Sequence, residues 1–514
     1  MVREEYIKRN IDKTIIDWFK GTNKALMILG ARQIGKTESI KYFLKSQFGI
    51  EEDERLPILN IETTPGVKEA IISGKAEGGS SFIRNLFANA GVYADLDICK
   101  VVFIDEIQSI SNSKKNMAKE EIKAIMSKLM EEDEFRFIFS GSLLGAKIGN
   151  LEEFTKELPG GITHSRMYPI NFAEFIEYAD GNRERIKTVR NEIFSSKTID
   201  EDDHVYLLKK FAEYSFVGGM PKSVLAYFDN DGFMVSNSMD AISTLVGDYI
   251  QDTEKYYEDE LNADIGINIF EYLLSGLKEN DKKRLMKKLN ADPERILYEF
   301  IIDSDVGLLV KNIEELTLPI SEQKKPKTYF NDVGFMRLLI KQSLEKYKKF
   351  EGTPKGLKDY FDVRNLDDVK NDFLNLVDNN GGAKMNGVGH IFEQIIAQDM
   401  KSNSYSFVYS YKKKPVESEL EFILIDDYSA VEVKSGGFED YPSSLEYAKT
   451  GKKVFFLTML PYLGEYKTNF ILLPIYALCF LNQKELLSVI FKEVGSRAKE
   501  LLLNGRLPNT KGFC

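Results

Sequence analysis

Eight residues near the N-terminus have the types and the spacing of a loop that wraps phosphate groups. They match the pattern G-x-x-x-x-G-K-[ST], they follow an apolar run at 25–29, and a helical pattern starts at Lys36. Glycines let the loop backbone and the helix N-terminus point their N–H groups at phosphate oxygens. A chance glycine-rich turn is the alternative, and the flanking strand and helix patterns argue against it. The predicted nucleotide-binding residues are Gly30, Ala31, Arg32, Gln33, Ile34, Gly35, Lys36, Thr37 and Glu38.

Two side chains of the loop are expected to have different roles. Lys36 is expected to reach the β- and γ-phosphates of ATP, and the hydroxyl of Thr37 is expected to ligate Mg²⁺. A second motif follows the apolar strand pattern at 101–104, where Asp105 and Glu106 stand side by side. Two acids after a strand are commonly a solvated strand end or a helix cap. Paired with the upstream loop, they predict that Asp105 holds the magnesium shell and that Glu106 deprotonates the attacking water.

A third polar segment follows the apolar run at 135–139. In ATPases with an extra strand between the two motif strands, a polar residue at this place senses the γ-phosphate or the attacking water. Ser140 and Ser142 are the candidates, and a turn-forming serine remains the alternative for each. An arginine that completes the site, in cis or from a neighbouring subunit, has three candidates, and a surface position is the favoured reading for each. They are Arg84, Arg136 and Arg166.

These residues require strands that end at one edge of a sheet. Short apolar runs alternate with helical patterns over the first 140 residues or so, which predicts an α/β fold with a parallel sheet covered by helices on both faces. The runs are 25–29, 57–61, 100–104 and 135–139, and the helices start at 36 or lie near 82–89 and 118–130.

The rest of the chain changes character twice. Residues 171–343 read as mostly helical with a Gly-Gly-Met-Pro break at 218–221, and 268–339 could form a small helical domain closed by a hairpin, as in a winged helix. After a charged connector at 344–382, one helix (389–400) and several strands predict a second α/β domain. The strand patterns are 407–411, 420–425, 430–433 and 453–457.

Bulk properties narrow the class of protein. A chain of 514 residues exceeds one core of roughly 250 to 300 residues, so three domains are expected. The longest apolar run, 470–481, is broken by Pro474, and the N-terminus lacks a signal-peptide core, so a cytoplasmic protein without membrane contact is expected. A net charge of −11 limits any nucleic-acid contact to one face or one domain. The three scattered cysteines support neither a disulfide framework nor a zinc site.

Several segments together resemble the prokaryotic AAA-type ATPases that carry a C-terminal nuclease-like domain of unknown function. The resemblance implies an AAA+ core (1–178), a helical and winged-helix-like region (179–345) and a restriction-endonuclease-like α/β domain of the PD-(D/E)xK type (346–514). Many members place an arginine after Leu-Pro-Gly, where this chain has Gly161, and Arg166 is the nearby substitute. The segments are GARQIGKT, FIDEIQ, SGSLLG, YPINFAEF (168–175), FVGGMP (216–221), YFNDVGF (329–335), GHIFEQIIA (389–397) and AVEVKSG (430–436).

The C-terminal domain contains the residue types of a metal-dependent nuclease. Such enzymes use a carboxylate on one strand and an acid-x-Lys on the next, so that two acids hold Mg²⁺ while the lysine activates water. Glu421 and the pair Glu432 and Lys434 supply these parts, and Glu393 on the preceding helix could add a ligand. The family more often has Asp at the place of Glu421, and a fold kept after loss of catalysis is the alternative.

Two readings of function follow. ATP hydrolysis is coupled to action on DNA or is regulated by DNA, or the protein is a nucleotide-gated regulatory protein with an inactive nuclease-like domain and a protein partner. The expected ligands are ATP or ADP and Mg²⁺, and a homo-oligomer is also open. Two lysine-rich clusters could meet phosphate, although a solvated lysine-rich face is the favoured reading for each on its own. They are Lys278, Lys282, Lys283, Arg284, Lys287 and Lys288, and Lys412, Lys413 and Lys414.

Overall fold

The computed structural model of the chain comprises two compact units. It describes residues 6–73, 80–111, 115–142, 151–156, 158, 160–229, 235–257, 305–312, 324–338, 388–409, 420–434 and 442–494. The N-terminal unit contains Met1–Pro169 and Arg295–Val306, and the C-terminal unit contains Ile170–Glu294 and Gly307–Cys514.

The N-terminal unit is built on a five-stranded parallel sheet. The strands lie in the order β2-β3-β4-β1-β5, so β4 separates the two strands that carry the predicted motifs. Strands β1 and β3 are buried at every position, as expected of apolar strands with helices on both faces. This arrangement confirms the predicted parallel α/β core. The strands are β1 (Ala25–Leu29), β2 (Ile58–Asn60), β3 (Val101–Asp105), β4 (Arg136–Gly141) and β5 (Ile162–Arg166).

Helices cover this sheet because each buries one apolar stripe. Helix α1 buries Ile11, Ile15 and Trp18, and α5 adds Ile122 and Met126 to the core formed with the strands. Helix α2 ends at Phe48 and is followed by Gly49, which has a left-handed backbone (φ +68°). The helices are α1 (Asn10–Lys20), α2 (Lys36–Phe48), α3 (Val67–Ser73), α4 (Ser80–Asn89), α5 (Lys115–Met130) and α6 (Leu151–Lys156).

The C-terminal unit contains a mixed eight-stranded sheet in the order β12-β13-β11-β10-β9-β8-β6-β7. Strands β10, β11 and β13 are parallel to one another, whereas β8, β9 and β10 pair antiparallel. The strands predicted at 407–411, 420–425, 430–433 and 453–457 are all present with small differences in length. They are β6 (Gly307–Asn312), β7 (Lys324–Phe330), β8 (Phe407–Tyr409), β9 (Phe422–Leu424), β10 (Ala430–Val433), β11 (Val454–Thr458), β12 (Gly464–Lys467) and β13 (Phe470–Pro474).

The helices of this unit have conventional starts. Asn171 and Glu174 form a capping box at α7, Asp200 caps α9, and α10 begins with Pro221 directly after the Gly-Gly-Met break. The helices are α7 (Phe172–Asp180), α8 (Glu184–Phe194), α9 (Glu201–Val217), α10 (Pro221–Phe228), α11 (Val235–Tyr257), α12 (Val388–Ser402), α13 (Pro442–Ala448) and α14 (Gln483–Ser488).

The hairpin predicted near the end of the middle region is present as β6 and β7. Its strand β6 also pairs with β8, so the hairpin forms one end of the C-terminal sheet. The helical part of the predicted winged helix, 268–304, lies outside the described residues, so the winged helix and the three-domain division remain predictions. Among the described residues, no helix is long and apolar enough to cross a membrane.

Candidate active sites

The phosphate-loop residues connect β1 to α2 in a backbone conformation that needs glycine at two positions. Gly30 has φ +149°, and a Cβ there would overlap the carbonyl oxygen of Met167. Gly35 has φ +92° and immediately precedes α2. The first N–H groups of a helix have no partner within the helix, so those of α2 are available to an anion.

Lys36, the first residue of α2, is buried with 6% of its surface exposed. Its ammonium donates to the carbonyl oxygens of Gly30 and Ala31, both at 2.9 Å. Burial lowers the pKa of Lys36, while the nearby carboxylates of Glu106, Asp105 and Asp305 act to raise it. The lysine therefore lies inside the loop, close to three acids.

Asp105, the last residue of β3, is held by side chains from both neighbouring motifs. The hydroxyl of Thr37 donates to its Oδ2 at 2.8 Å, and the hydroxyl of Ser140 donates to its Oδ1. The backbone N–H of Glu106 also donates to Oδ1, at 3.0 Å. Both carboxylate oxygens of Asp105 therefore have a defined direction.

The pair of Thr37 and Asp105 fits a magnesium ion. Hydroxyl and carboxylate oxygens are the hard ligands that Mg²⁺ prefers, and two adjacent ligands at roughly 2.1 Å from an octahedral ion lie about 2.9 Å apart. The two oxygens are 2.8 Å apart here. The donor set is thus suited to one shared cation, which would draw its remaining ligands from phosphate and water.

Glu106 has an unusual backbone and a restrained side chain. Its φ of +52° lies in the left-handed region, which costs a non-glycine residue on the order of 1–3 kcal/mol. Its Oε2 accepts hydrogen bonds from the backbone N–H of Ser142 at 3.3 Å, from the Ser142 hydroxyl at 3.1 Å and from the amide of Gln108. These contacts fix the direction of the carboxylate.

The two serine candidates have different partners. Ser140 is fully buried and contacts Asp105, whereas Ser142 contacts Glu106. Ser140 thus orients the predicted metal ligand, and Ser142 orients the predicted general base.

Gln108 and Arg9 contact this site, and the sequence analysis did not predict either of them. Gln108 is a polar residue two positions after Glu106 in the segment FIDEIQ, which is a weak signal for a contact with Glu106. Arg9 is buried, and its guanidinium donates to the carbonyl oxygen of Ile34 at 2.9 Å and to that of Tyr168 at 2.6 Å. Nothing in the sequence pattern links Arg9 to a loop that begins 21 residues later.

The three arginine candidates lie in different places. Arg84 forms ion pairs with Asp97 at 2.8 Å and Glu134 at 2.9 Å, next to the amino ends of β3 and β4. Arg136 is the first residue of β4 and donates to the carbonyl oxygens of Trp18, Phe19 and Asn23. Both are therefore at the edge of the sheet opposite to the phosphate loop.

Arg166, in contrast, is the last residue of β5. It lies opposite Leu29 in the β1–β5 register and forms an ion pair with Asp305. Of the three, only Arg166 is at the carboxyl edge of the sheet.

The predicted acidic cluster of the C-terminal unit is assembled in the structure. Glu421 directly precedes β9, Glu432 lies on β10 and Lys434 follows it. The Lys434 ammonium is 3.0 Å from Glu421 Oε1 and also forms an ion pair with Glu432, and the backbone N–H of Val433 donates to Glu421. The lysine thus lies between the two carboxylates.

Burial controls the electrostatics of this cluster. Burial, followed by the charge of Glu432, raises the pKa of Glu421 to about 8 even though Lys434 opposes the shift. Burial also raises the pKa of Glu432, whose buried Oε2 accepts no hydrogen bond within the described residues. An orphaned carboxylate oxygen of this kind is suited to a cation.

Glu393, predicted as a further ligand, is already neutralised. It lies on α12 and accepts hydrogen bonds from Lys327 and Tyr329, two residues of β7 that the sequence analysis did not connect with this site. Burial acts to raise the pKa of Glu393, but Lys327, His390 and Tyr329 outweigh it and bring it to about 2.

Metal binding by Glu421 and Glu432 therefore remains a prediction. In the part of the chain that the structure describes, no group of three or more His, Cys, Asp or Glu residues could hold a metal ion. A Mg²⁺ ion between the two glutamates would draw its other ligands from water and substrate phosphate. The basic clusters at 278–288 and 412–414 lie outside the described residues.

Comparisons with known proteins bear on the N-terminal unit. Residues 22–176 match the family model of an AAA domain. No curated protein sequence matches the chain. Among solved structures, a Walker-type ATPase of Pyrococcus abyssi is 13% identical with a TM-score of 0.39, covering 66% of this chain and 97% of its own.

Two further structures are similar at a lower level. The ORC2 protein of Aeropyrum pernix is 13% identical with a TM-score of 0.28, over 60% of this chain and 89% of its own. DnaA from Aquifex aeolicus is 13% identical with a TM-score of 0.26, over 58% and 90%. These structural likenesses are too weak to support an inference about function. The part of the chain that matches the AAA domain contains the parallel sheet and the phosphate loop.

Proposed function

We propose that the N-terminal unit binds ATP with Mg²⁺ and hydrolyses it to ADP and phosphate. The observation that carries the proposal is the 2.8 Å hydrogen bond between Thr37 and Asp105, which joins two motifs 68 residues apart. Lys36 is the neighbour of Thr37 in the chain, and Glu106 is the neighbour of Asp105. A phosphate-binding lysine, two magnesium ligands and a base are the parts that phosphoryl transfer to water requires.

Each residue has one role. The N–H groups of the loop and the start of α2 bind the phosphates, and the Lys36 ammonium moves from loop carbonyl oxygens to phosphate oxygens. Glu106, oriented by Ser142 and Gln108, accepts the proton of the attacking water as its oxygen bonds to the γ-phosphorus and the bond to ADP breaks. A Mg²⁺ ion held by Thr37 and Asp105 would neutralise part of the phosphate charge.

The test is nucleotide binding and turnover by purified variants. Lys36→Ala is expected to abolish binding of Mg·ATP, because the loop loses its buried cation. Glu106→Gln is expected to keep binding and lose turnover, because a neutral amide cannot accept the proton. Lys45→Ala, at a half-buried lysine of the same helix that pairs with Asp53, and Glu120→Gln on α5 are the matched controls. Wild-type turnover by the Glu106→Gln protein would show that the base is assigned wrongly.

We further propose that this ATPase acts on DNA or is regulated by it. The support is the cluster of Glu421, Glu432 and Lys434 in the C-terminal unit, which has the residue types that hydrolyse phosphodiesters with Mg²⁺. ATP turnover is measured with and without single- and double-stranded DNA at low salt, and the DNA is examined for cleavage in the same tube. Stimulated turnover with cleavage is the expected result.

Cleavage must depend on the acidic cluster. Glu432→Gln and Lys434→Ala are expected to abolish it without affecting ATP turnover in the absence of DNA. EDTA is expected to abolish both cleavage and ATP turnover, because both proposed sites use Mg²⁺. Glu446→Gln, an exposed glutamate of α13, is the control. Cleavage that survives in the Glu432→Gln protein would come from a contaminant or another site.

The second candidate function is that of a nucleotide-gated regulatory protein. The observation in its favour is that the Lys434 ammonium already lies between Glu421 and Glu432, in the place where a nuclease of this kind would hold a metal ion. Turnover indifferent to DNA, with no cleavage, would favour this reading and a protein partner.

A further inference from the structure

Arg166 places a positive charge beside the start of the phosphate loop. In the register of β1 and β5 it lies opposite Leu29, the residue before Gly30, and the next residue, Met167, donates its N–H to the Leu29 carbonyl oxygen at 2.8 Å. The carboxyl ends of parallel strands surround the ligand in sheets of this kind. The Arg166 side chain is 40% exposed and is therefore accessible to a ligand at this edge.

Arg166 forms an ion pair with an acid from a distant part of the chain. The carboxylate of Asp305, 139 residues further along, forms a charge-assisted hydrogen bond with the Arg166 guanidinium, and its side chain is only 14% exposed. Asp305 has a left-handed backbone (φ +54°), which non-glycine residues seldom adopt and which the surrounding contacts must hold.

The same carboxylate lies in the field of the loop lysine. Three acids act to raise the pKa of Lys36, and Asp305 has a smaller effect than Glu106 and Asp105. Asp305 also acts to raise the pKa of Tyr168. A carboxylate and a phosphate offer a guanidinium the same kind of oxygen pair. Phosphate groups that enter the loop therefore meet the repulsion of Asp305 and compete with it for Arg166.

We propose that Arg166 is a phosphate-binding residue of the nucleotide site and that Asp305 is an internal anion that competes with nucleotide for it. The inference rests on the proposed ATP site. It adds Arg166 as a phosphate-binding residue and Asp305 as an internal competitor of the nucleotide. Binding of nucleotide then breaks the Arg166–Asp305 pair, so the affinity measured for the wild-type chain includes the work of separating that pair.

The experiment compares affinities for Mg·ADP and Mg·ATPγS by calorimetric titration of the full chain. Asp305→Asn is expected to tighten binding roughly tenfold, because it removes a negative charge that faces the phosphates. Arg166→Ala is expected to weaken binding to a similar degree, with Arg166→Lys in between. In the Arg166→Ala background, Asp305→Asn should have a much smaller effect, since the competition needs the arginine.

A matched control and a reference variant separate the possible failures. Asp97→Asn removes a similar Arg–Asp pair elsewhere in the N-terminal unit, that of Arg84, and should leave binding unchanged. If the wild type binds, Lys36→Ala does not, and Asp305→Asn matches the wild type or binds more weakly, the inference is wrong while the ATP site stands. If neither the wild type nor Asp305→Asn binds nucleotide, the proposed function and the inference fail together.

Discussion

At the scale of single residues, two serines that the sequence could not distinguish have separate tasks. Ser140 donates to Asp105, and Ser142 donates to Glu106 through both its hydroxyl and its backbone N–H. The sequence predicts the presence of the loop, the acids and the serines, because each follows an apolar strand. It does not show which serine serves which acid, since that depends on the placement of β4 between β3 and β1.

The different partners predict different kinetic effects. Ser142→Ala removes one of the hydrogen bonds that orient Glu106, so kcat should fall roughly tenfold while KM for ATP changes little. Ser140→Ala releases Asp105, so the Mg²⁺ concentration needed for half-maximal turnover should rise. Steady-state assays at varied ATP and Mg²⁺ distinguish the two. Equal effects of both changes on kcat alone would contradict the separate roles.

At the scale of elements, the phosphate loop is positioned from outside its own strand and helix. Arg9 precedes α1 and joins the loop, through Ile34, to the segment after β5, through Tyr168. Tyr6 supports this arrangement: its hydroxyl contacts Asp12 at 2.6 Å and Ser39 of α2 at 2.9 Å. The strands and helices were predictable from apolar periodicity, but these cross-links were not, because they join residues far apart in sequence.

Removal of the Arg9 guanidinium should therefore loosen the loop. Arg9→Ala is expected to weaken Mg·ADP binding roughly tenfold, the cost of losing charge-assisted hydrogen bonds to two carbonyl groups. Arg9→Lys should restore little, because an ammonium lacks the planar fork that spans two acceptors. Lys13→Ala on the exposed side of α1 is the control. Affinity is measured by titration, and an Arg9→Ala protein with wild-type affinity would show that Arg9 serves stability alone.

At the scale of the whole molecule, the later segments of the family resemblance are explained by packing in the C-terminal unit. The Asp332 carboxylate of YFNDVGF accepts N–H groups from Gly219 of FVGGMP and, at 2.8 Å, from Gly334. Gln394 of GHIFEQIIA exchanges two hydrogen bonds with the backbone of Phe330. Asp332 and Gln394 look like functional residues in the sequence because they are polar residues within recognisable motifs. In the structure they form hydrogen bonds with buried backbone groups.

A buried histidine gives this unit an acid-sensitive stability. His204 lies between the Tyr476 hydroxyl, 2.8 Å from Nδ1, and the Met459 carbonyl oxygen, 3.1 Å from Nε2, so Nε2 must carry the proton. Burial lowers its pKa to about 4, against 6.5 for the ordinary group. The unfolded chain binds the proton first as pH falls, so the folded unit loses up to about 3 kcal/mol between pH 6.5 and 4.

The measurement is urea unfolding, followed by circular dichroism, of wild type and His204→Gln between pH 7.5 and 4.5. The stability of the wild type relative to the variant should fall as the pH falls. The comparison with the variant is necessary because two other buried groups also titrate. Burial raises the pKa values of Asp332 and Asp399 to about 7. These two groups lower the stability of the folded unit as the pH rises, whereas His204 lowers it as the pH falls. A difference that does not vary with pH would contradict the assignment.

The hairpin of β6 and β7 determines which segments of the chain must be transferred together if recombination is to deliver an intact C-terminal sheet. Its strands come from residues 307–330, whereas the other six begin at residue 407. Lys327 of β7 neutralises the buried Glu393 of α12. A recombination event that transferred only residues 388–494 would deliver a sheet with an open edge at β8 and a buried carboxylate without its cation, a defect that typically costs about 3–5 kcal/mol. The two stretches can therefore be exchanged between genes only together.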